Sequence, residues 1–348
     1  MARGVAVVTG GSAGLGRAIV RELAVRGWDV AVLARGQDGV DAAAADVQNT
    51  GSRSLAVSVD VTDREALENA ATRVEDELGP IDLWVNNAMS GVFAEFMDTD
   101  PADFERATAV DYFGFVNGTR AALARMIPRD RGHVIQVGSG LAHRGIPLQA
   151  AYCGAKHAIQ GFTESVRTEL MHEGHHVHIS QVDMPALNTR QFDWVKSELP
   201  QHPQPLPPIF EPEVGARAVA DVADRPRPRT WVGESTVIAI MGNRLWGSFW
   251  DWYVSKTAYA GQQAPDITAP MLPPNLYEPV PGDHGAHGDF DGRSLAWTPQ
   301  TWAIGHRRTL AMGTAAAGVA AVVWVAGVAG ALSRRRHPRS LRERILRR

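Results

Sequence analysis

Tyr152 and Lys156 stand four residues apart in the run Ala151-Tyr152-Cys153-Gly154-Ala155-Lys156, with Ser139 thirteen residues upstream. Residues i and i+4 share one face of a helix, so this spacing sets an ammonium beside a phenol. A carbonyl carbon that accepts a hydride leaves an oxygen in need of a proton. A phenol with its ordinary pKa of about 10 gives that proton readily and recovers it poorly. The neighbouring ammonium is expected to correct this by stabilising the phenolate and lowering the pKa of Tyr152. A hydroxyl such as that of Ser139 would donate to the substrate oxygen and fix its position. On its own a Tyr-x-x-x-Lys pair is common on helices, so its meaning depends on what precedes it in the chain.

What precedes it is the turn Thr9-Gly10-Gly11-Ser12-Ala13-Gly14-Leu15-Gly16, placed between a valine-rich run and a helical stretch. Strand, glycine turn and helix in that order form a dinucleotide cradle. Gly10 permits the tight turn, Gly14 lets the backbone approach a pyrophosphate, and Gly16 allows close helix packing. The free N–H groups of the helix face the phosphates, and Ser12 adds a hydroxyl. A structural turn without a ligand is the bland alternative. Arg35 follows the second strand, where enzymes that prefer NAD carry an acidic group for the ribose. Its planar guanidinium suits a 2′-phosphate, and Arg17 adds positive charge beside the turn. NADP(H) is therefore the expected cofactor and NAD(H) the alternative, with a solvated loop arginine as the other reading of Arg35.

These residues need a scaffold, and the rest of the chain supplies its pattern. Apolar runs at Val5 to Val8, Val30 to Leu33, Leu55 to Val59, Leu83 to Val85, Val134 to Val137 and Val177 to Val182 alternate with helical stretches, and a seventh strand is expected near Thr230 to Val232. Helices are expected over Gly14 to Arg26, Arg64 to Leu78, Asp111 to Met126 and Tyr152 to Met171. Unbroken apolar strands separated by helices predict a doubly wound α/β domain with a seven-stranded parallel sheet, covering residues 1–260. Residues 188–212, rich in proline, read as a long loop at the ligand edge of the sheet, either a substrate lid or a plain linker. Trp246, Trp250 and Trp252, near Phe249 and Tyr253, are read as a cleft wall, a membrane-interface patch or core. Residues 261–308 read as a polar Pro/Gly-rich connector, 309–333 as an apolar helix and 334–348 as a basic tail.

With those residues placed, the chain resembles the classical short-chain dehydrogenase/reductase family over roughly Val5 to Val237. The resemblance rests on the glycine turn of residues 9–16, Asp60-Val61, Asn86-Asn87-Ala88, and the set Ser139, Tyr152 and Lys156. It implies a Rossmann sheet of strand order 3-2-1-4-5-6-7, with Thr9, Leu15, Asn87 and Ala88 among the cofactor contacts and Asp60 and Val61 at the adenine. Tyr152 and Lys156 count as cofactor contacts too, and Thr189 would hold the nicotinamide carboxamide. Asp111 in Val110-Asp111-Tyr112-Phe113-Gly114 stands where the family has an asparagine that helps hold water for a proton relay, so it enters the catalytic set as a departure. Met89 replaces a glycine after Asn-Asn-Ala. Met184-Pro185-Ala186-Leu187-Asn188-Thr189 departs from the usual Pro-Gly. Family members often associate through the helices after strands four and five, which implies a homo-oligomer.

Composition limits the other possibilities. A formal charge of −3 over 348 residues gives no whole-chain footprint for nucleic acid, and 45% hydrophobic residues suffice for a buried core. Cys153 is the single cysteine, which excludes an intrachain disulfide and a zinc site built on several thiolates. It is expected to behave as a small apolar helix residue. The histidines at 172, 175, 176 and 178 read as a solvated patch, and no metal is expected. The amino end enters a strand pattern without a secretory core, so the catalytic domain is expected in the cytoplasm. Leu310 to Leu332 carries no charge and would span roughly 34 Å as a helix, against a hydrocarbon layer of about 30 Å. With Arg334-Arg335-Arg336 behind it to attract lipid headgroups, membrane association is expected; a soluble association helix is the alternative. The function expected is NADP(H)-dependent hydride exchange with a small-molecule carbonyl or secondary alcohol, apolar if the enzyme sits on lipid. A catalytically silent dinucleotide-binding redox sensor or tether, and an NAD-dependent alcohol dehydrogenase, are the competing readings.

Overall fold

The computed structural model describes residues 3–267, 271–300 and 302. The valine-rich runs become seven strands: β1 (Val5–Thr9), β2 (Asp29–Ala34), β3 (Ser54–Ser58), β4 (Ile81–Asn86), β5 (His133–Ser139), β6 (His178–Met184) and β7 (Arg229–Trp231). They pair in the order β7-β6-β5-β4-β1-β2-β3, every pair parallel. All five residues of β1 are buried, because side chains alternate between two covered faces. Ala6 and Val8 join one core with Ile19, Val20 and Leu23, whereas Val5 and Val7 join the other with Leu67, Val74 and Met126. Each such buried aliphatic side chain contributes about 1.5–3 kcal/mol, so the sheet is held from both sides.

The helices complete the layers. One face carries α1 (Gly14–Val25), α2 (Gln37–Gln48) and α7 (Pro212–Asp224); the other carries α3 (Arg64–Glu77), α5 (Gly114–Met126) and α6 (Ala150–His172). Before α5 lies α4 (Pro101–Thr108), which starts with proline in its first turn and Asp100 accepting the Ala102 N–H at 2.8 Å. A single π turn, Ala109–Phe113, joins α4 to α5, so the helix expected from Asp111 has a longer and irregular start. Such turns cluster at functional positions. The sheet order reverses between β1 and β4, and the loops leaving those strands diverge there to open a cleft.

One part of the sequence reading needs correction, and one left open between cleft wall, membrane patch and core is narrowed. Residues 271–300, read as part of an extended connector, fold back on the carboxyl edge of the sheet. Leu276, Ala286, Phe290 and Thr298 are buried, and the compact body runs to Thr301. The segment is polar on average, but these few apolar anchors suffice to seat it. The Trp-rich stretch forms a helical hairpin, α8 (Glu234–Leu245) and α9 (Gly247–Gly261), and is not core. The apolar run 309–333 and the tail 334–348 lie outside the described residues. Among the described residues no helix is long and apolar enough to cross a membrane.

Candidate active site

The glycine turn is clasped from across the sheet. The Thr9 hydroxyl accepts the N–H groups of Asn87 (3.0 Å) and Ala88 (3.2 Å), and the Asn87 amide donates to the carbonyls of Thr9 (3.1 Å) and Gly10 (3.2 Å). Gly10 has φ +64°, and a Cβ there would meet the Ala88 Cα at 2.6 Å; a Cβ on Gly16 would lie 2.0 Å from the Gly10 oxygen. Only hydrogen fits at either place. Thr9 therefore holds the turn and does not line the cleft, whereas Gly10, Ser12, Gly14, Leu15, Gly16, Asn87 and Ala88 do.

Arg17, expected to lend charge to the cofactor, is 2% exposed and spent elsewhere. Its guanidinium bonds Asp46 at 2.6 Å, Asp283 at 3.1 Å and the Ser12 carbonyl at 3.2 Å. A buried arginine must be paired, and these partners turn it into a brace behind the turn. No side chain caps α1; its Gly14 N–H goes to the Gly285 carbonyl, which leaves the N–H groups of Leu15 and Gly16 for an anion.

Ser139 ends β5, while Tyr152 and Lys156 stand one helical turn apart on α6; all three line the same cleft. The Ser139 hydroxyl accepts the Leu141 N–H at 3.1 Å and is near enough to the phenol of Tyr152 to act on its pKa. Lys156 is 2% exposed, donates to the Val137 carbonyl at 3.0 Å and lies 5.4 Å from the Tyr152 ring centroid. The electrostatics depart from the sequence expectation. Burial raises the Tyr152 pKa above its ordinary value; the Ser139 hydroxyl acts the other way, while Asp111 and Asp183 push it further up. Burial lowers the pKa of Lys156, opposed by the same two carboxylates. The phenol is thus held protonated, the form that a proton donor to a nascent alkoxide needs.

Asp111 sits in the π turn with no exposure and does not itself line the cleft; it is a buried carboxyl whose charge acts on Lys156. One oxygen accepts the Ser90 N–H at 2.7 Å, and the other has no hydrogen-bond partner among the described residues. Burial pushes its pKa up to about 7 against the pull of Lys156. Unfolded, an aspartate titrates near pH 3.9, roughly three units lower. Between those values the native state binds the extra proton, so stability is lost as pH rises through the window. Asp111→Asn abolishes this slope. Its Tm is expected to gain on wild type by at least about 2 °C between about pH 5 and pH 8, and thermal scans giving parallel curves would contradict the assignment.

The sequence reading missed a second buried pair. Asp183, fully buried on β6, meets His143 at 2.9 Å and accepts from Gln181 at 2.6 Å, which fixes the loop that leaves Ser139. The only signal in the sequence was an acidic residue within a buried strand. Cys153 is buried, which pushes its thiol pKa up, as suits an inert helix residue. His176 pairs with Asp130 at 2.6 Å, and among the described residues no group of three metal-ligating side chains occurs.

At the other end of the cleft, residues 275–291 form a strap. Arg35 donates to the carbonyls of Tyr277 (2.7 Å), Leu276 (3.2 Å) and Asn275, and burial lowers its pKa. Asp60 is paired with Arg106, whose guanidinium also reaches the Leu276 carbonyl. The Gly282 N–H donates to Asp38 at 2.9 Å, Asp283 meets Arg17, and the Gly285 carbonyl accepts the Gly14 N–H at 2.9 Å. Farther along, Asn188 donates to Asp291 and accepts the Phe290 N–H. Pro279, Val280, Gly282 and His284 line a cleft of about 760 Å³ together with Arg35, Asp60, Val61 and Thr189, so the strap roofs the groove without filling it. Combining Asp38→Ala with Asp283→Ala removes two of its ties, each worth about 1 kcal/mol. Cofactor release followed by stopped-flow fluorescence is expected to quicken by about thirtyfold; an unchanged rate would mean that the strap does not gate the groove.

Residues 4–198 match the family model described as short chain dehydrogenase. The chain belongs to that family. It is 30% identical to the uncharacterized oxidoreductase YxnA of Bacillus subtilis (strain 168), over 80% of this chain and 79% of the relative. It is 31% identical to the 3-ketodihydrosphingosine reductase of Bos taurus, over 53% of this chain and 57% of the relative. Among solved structures, a metagenomic short-chain oxidoreductase in complex with NADP aligns with a TM-score of 0.56 and 27% identity, covering 67% of this chain and 97% of that one. This short-chain dehydrogenase is an oxidoreductase that uses a nicotinamide dinucleotide and acts on a small molecule. Its groove fits such a cofactor: Gly10 and Gly16 pack the turn closer than any Cβ would allow, the N–H groups of Leu15 and Gly16 have no side-chain cap, and one cleft runs from Asp60 to Tyr152.

Proposed function

We propose that this dehydrogenase exchanges hydride between NADP(H) and an apolar carbonyl or secondary alcohol, with Tyr152 as proton donor and acceptor. The observation that carries the reading is the convergence of Ser139, Tyr152 and Lys156 on one cleft that begins at the glycine turn. When bound, the dinucleotide supplies or removes the hydride at the substrate carbon. Ser12, Gly14, Leu15 and Gly16 would hold its pyrophosphate, Asp60 and Val61 its adenine, Asn87 and Ala88 the adjoining ribose wall, Lys156 the nicotinamide ribose and Thr189 the carboxamide. Ser139 orients the substrate oxygen, and Tyr152, protonated in its buried setting, would deliver the proton when the carbonyl is reduced. Phe93, Ile146, Phe192, Val195 and Phe210 give the substrate end apolar walls. The bovine relative, named as a 3-ketodihydrosphingosine reductase, supports a ketone substrate.

One observation favours NAD(H) as a second reading: the terminal nitrogens of Arg35 are committed to strap carbonyls. The test is turnover of the full chain with each reduced cofactor against a panel of apolar ketones and aldehydes. NADPH is expected to be preferred, and Arg35→Ala to cut its kcat/KM by about tenfold, as loss of a charge-assisted contact implies. An unchanged cofactor ratio would favour NAD(H). Binding of both cofactors without turnover of any substrate would favour a silent dinucleotide-binding protein. We also propose a homo-oligomer formed through α5 and α6, to be checked by sedimentation. Membrane association through residues 309–333, with the catalytic domain in the cytoplasm, is proposed on the sequence and is checked by fractionating cells that express the full chain and one ending at residue 308.

A further inference from the structure

We infer that the α8–α9 hairpin is a lipid-docking surface, and that an apolar substrate passes from the bilayer through it into the cleft; the second half rests on the substrate class proposed above. Both helices are unusually bare. Of α8 only Thr236 and Ile240 are buried, and of α9 only Val254 and Ala258. Ile238, Met241, Leu245, Trp246, Phe249, Trp252, Tyr253 and Tyr259 are left exposed, with Trp246 at 64% and Leu245 at 62%. So many large apolar side chains within two short helices exceed the scattered exposure of an ordinary surface. Ile238, Trp250, Tyr253 and Val254 also line the cleft, so this apolar surface is the rim of the substrate mouth.

The residue types and the chain path select lipid as the occupant. Tryptophan and tyrosine combine an apolar ring with a polar edge and suit the level of lipid headgroups. Asp251 is neutralised by Arg144 at 2.7 Å, while Arg244 and Lys256 remain exposed and cationic, matching anionic headgroups. The described chain also leaves at the root of this hairpin. Gln300 accepts the Gly233 N–H at 2.9 Å, donates to the Trp231 carbonyl at 2.7 Å, and its own N–H reaches Glu234 at 3.2 Å. From there the uncharged run Leu310 to Leu332 begins ten residues on, within about 35 Å even if the link is fully extended. Lipid that holds that run is thus within reach of the rim.

The full chain carrying Trp246→Cys or Phe249→Cys is labelled with an environment-sensitive fluorophore, Cys153 being buried, and mixed with vesicles of phosphatidylcholine and phosphatidylglycerol. A blue shift and quenching by brominated lipid are expected at 246 and 249, and neither at Glu65→Cys on α3. No shift at the hairpin while the protein sediments with vesicles would overturn the surface. So would a shift that needs no vesicles and grows with protein concentration, which would identify a second copy as the occupant. Trp246→Ser with Trp252→Ser is expected to slow turnover of a vesicle-borne ketone by about tenfold and to leave a water-soluble ketone unaffected; equal slowing of both would overturn the route. The label reports without turnover, so failure of the substrate proposal and failure of the docking surface give different results.

Discussion

Tyr152→Phe is expected to lower kcat by about 1,000-fold and to leave the Kd for reduced cofactor within about twofold. The size follows from the loss of a positioned proton donor, which contributes typically about 10²–10⁴-fold. The substitution is clean in this protein. Phenylalanine retains the ring beside Lys156, whose own hydrogen bond goes to the Val137 carbonyl, and Ser139 keeps the Leu141 N–H as a partner. What is lost is one oxygen at the cleft wall. Removing Lys156 instead would strip a cation from between Asp111 and Asp183 and disturb two further groups, so the phenol is the sharper probe. A fall of less than about tenfold would place the donor elsewhere.

Gly16→Ala is expected to weaken cofactor binding by about 100-fold and to destabilise the fold by about 1–3 kcal/mol, the range for overpacking a filled site. The new Cβ would sit 2.0 Å from the Gly10 oxygen and 2.6 Å from the Asn87 amide nitrogen. The first is backbone and the second is one of the clasps between β4 and the turn, so neither yields without opening the cradle. Gly154→Ala on α6 is the matched control. A Cβ there meets nothing within 4 Å, and alanine is the better helix former, so the stability is expected to rise by about 0.5–1 kcal/mol with binding intact. Fluorescence titration and thermal unfolding of the two variants separate a steric effect at the cradle from a general effect of filling glycine. Similar behaviour of both would show that close packing at the turn is unimportant.

The sequence pattern carries the sheet well because strands buried on both faces must be continuous apolar runs, and here they are. The glycine turn and the Ser139, Tyr152 and Lys156 set were equally legible, since spacing alone puts the last two on one helical face and strand order puts the turn beside them. What escaped was anything decided by distant partners. Arg17 and Arg35 read as cofactor charges, yet their partners Asp46, Asp283 and the carbonyls of residues 275–277 lie far along the chain. The strap itself was hidden because Leu276, Ala286 and Phe290 recur with no helical or strand period in a polar segment. Asp111 was visible as a residue type, but its depth, and with it the rise in its pKa, depends on the π turn that carries it. The effect of Lys156 on Tyr152 was misjudged for a related reason: the two buried carboxylates that offset the ammonium come from the π turn and from β6, which no local pattern connects.

The most direct test of the central claim is a crystal structure of the full catalytic body with oxidised dinucleotide and an unreactive alcohol. The account predicts the nicotinamide between Thr189 and Lys156, with the alcohol oxygen about 3 Å from both the Ser139 hydroxyl and the Tyr152 phenol. A dinucleotide bound with its nicotinamide away from Tyr152, or an alcohol seated beyond reach of that phenol, would contradict it.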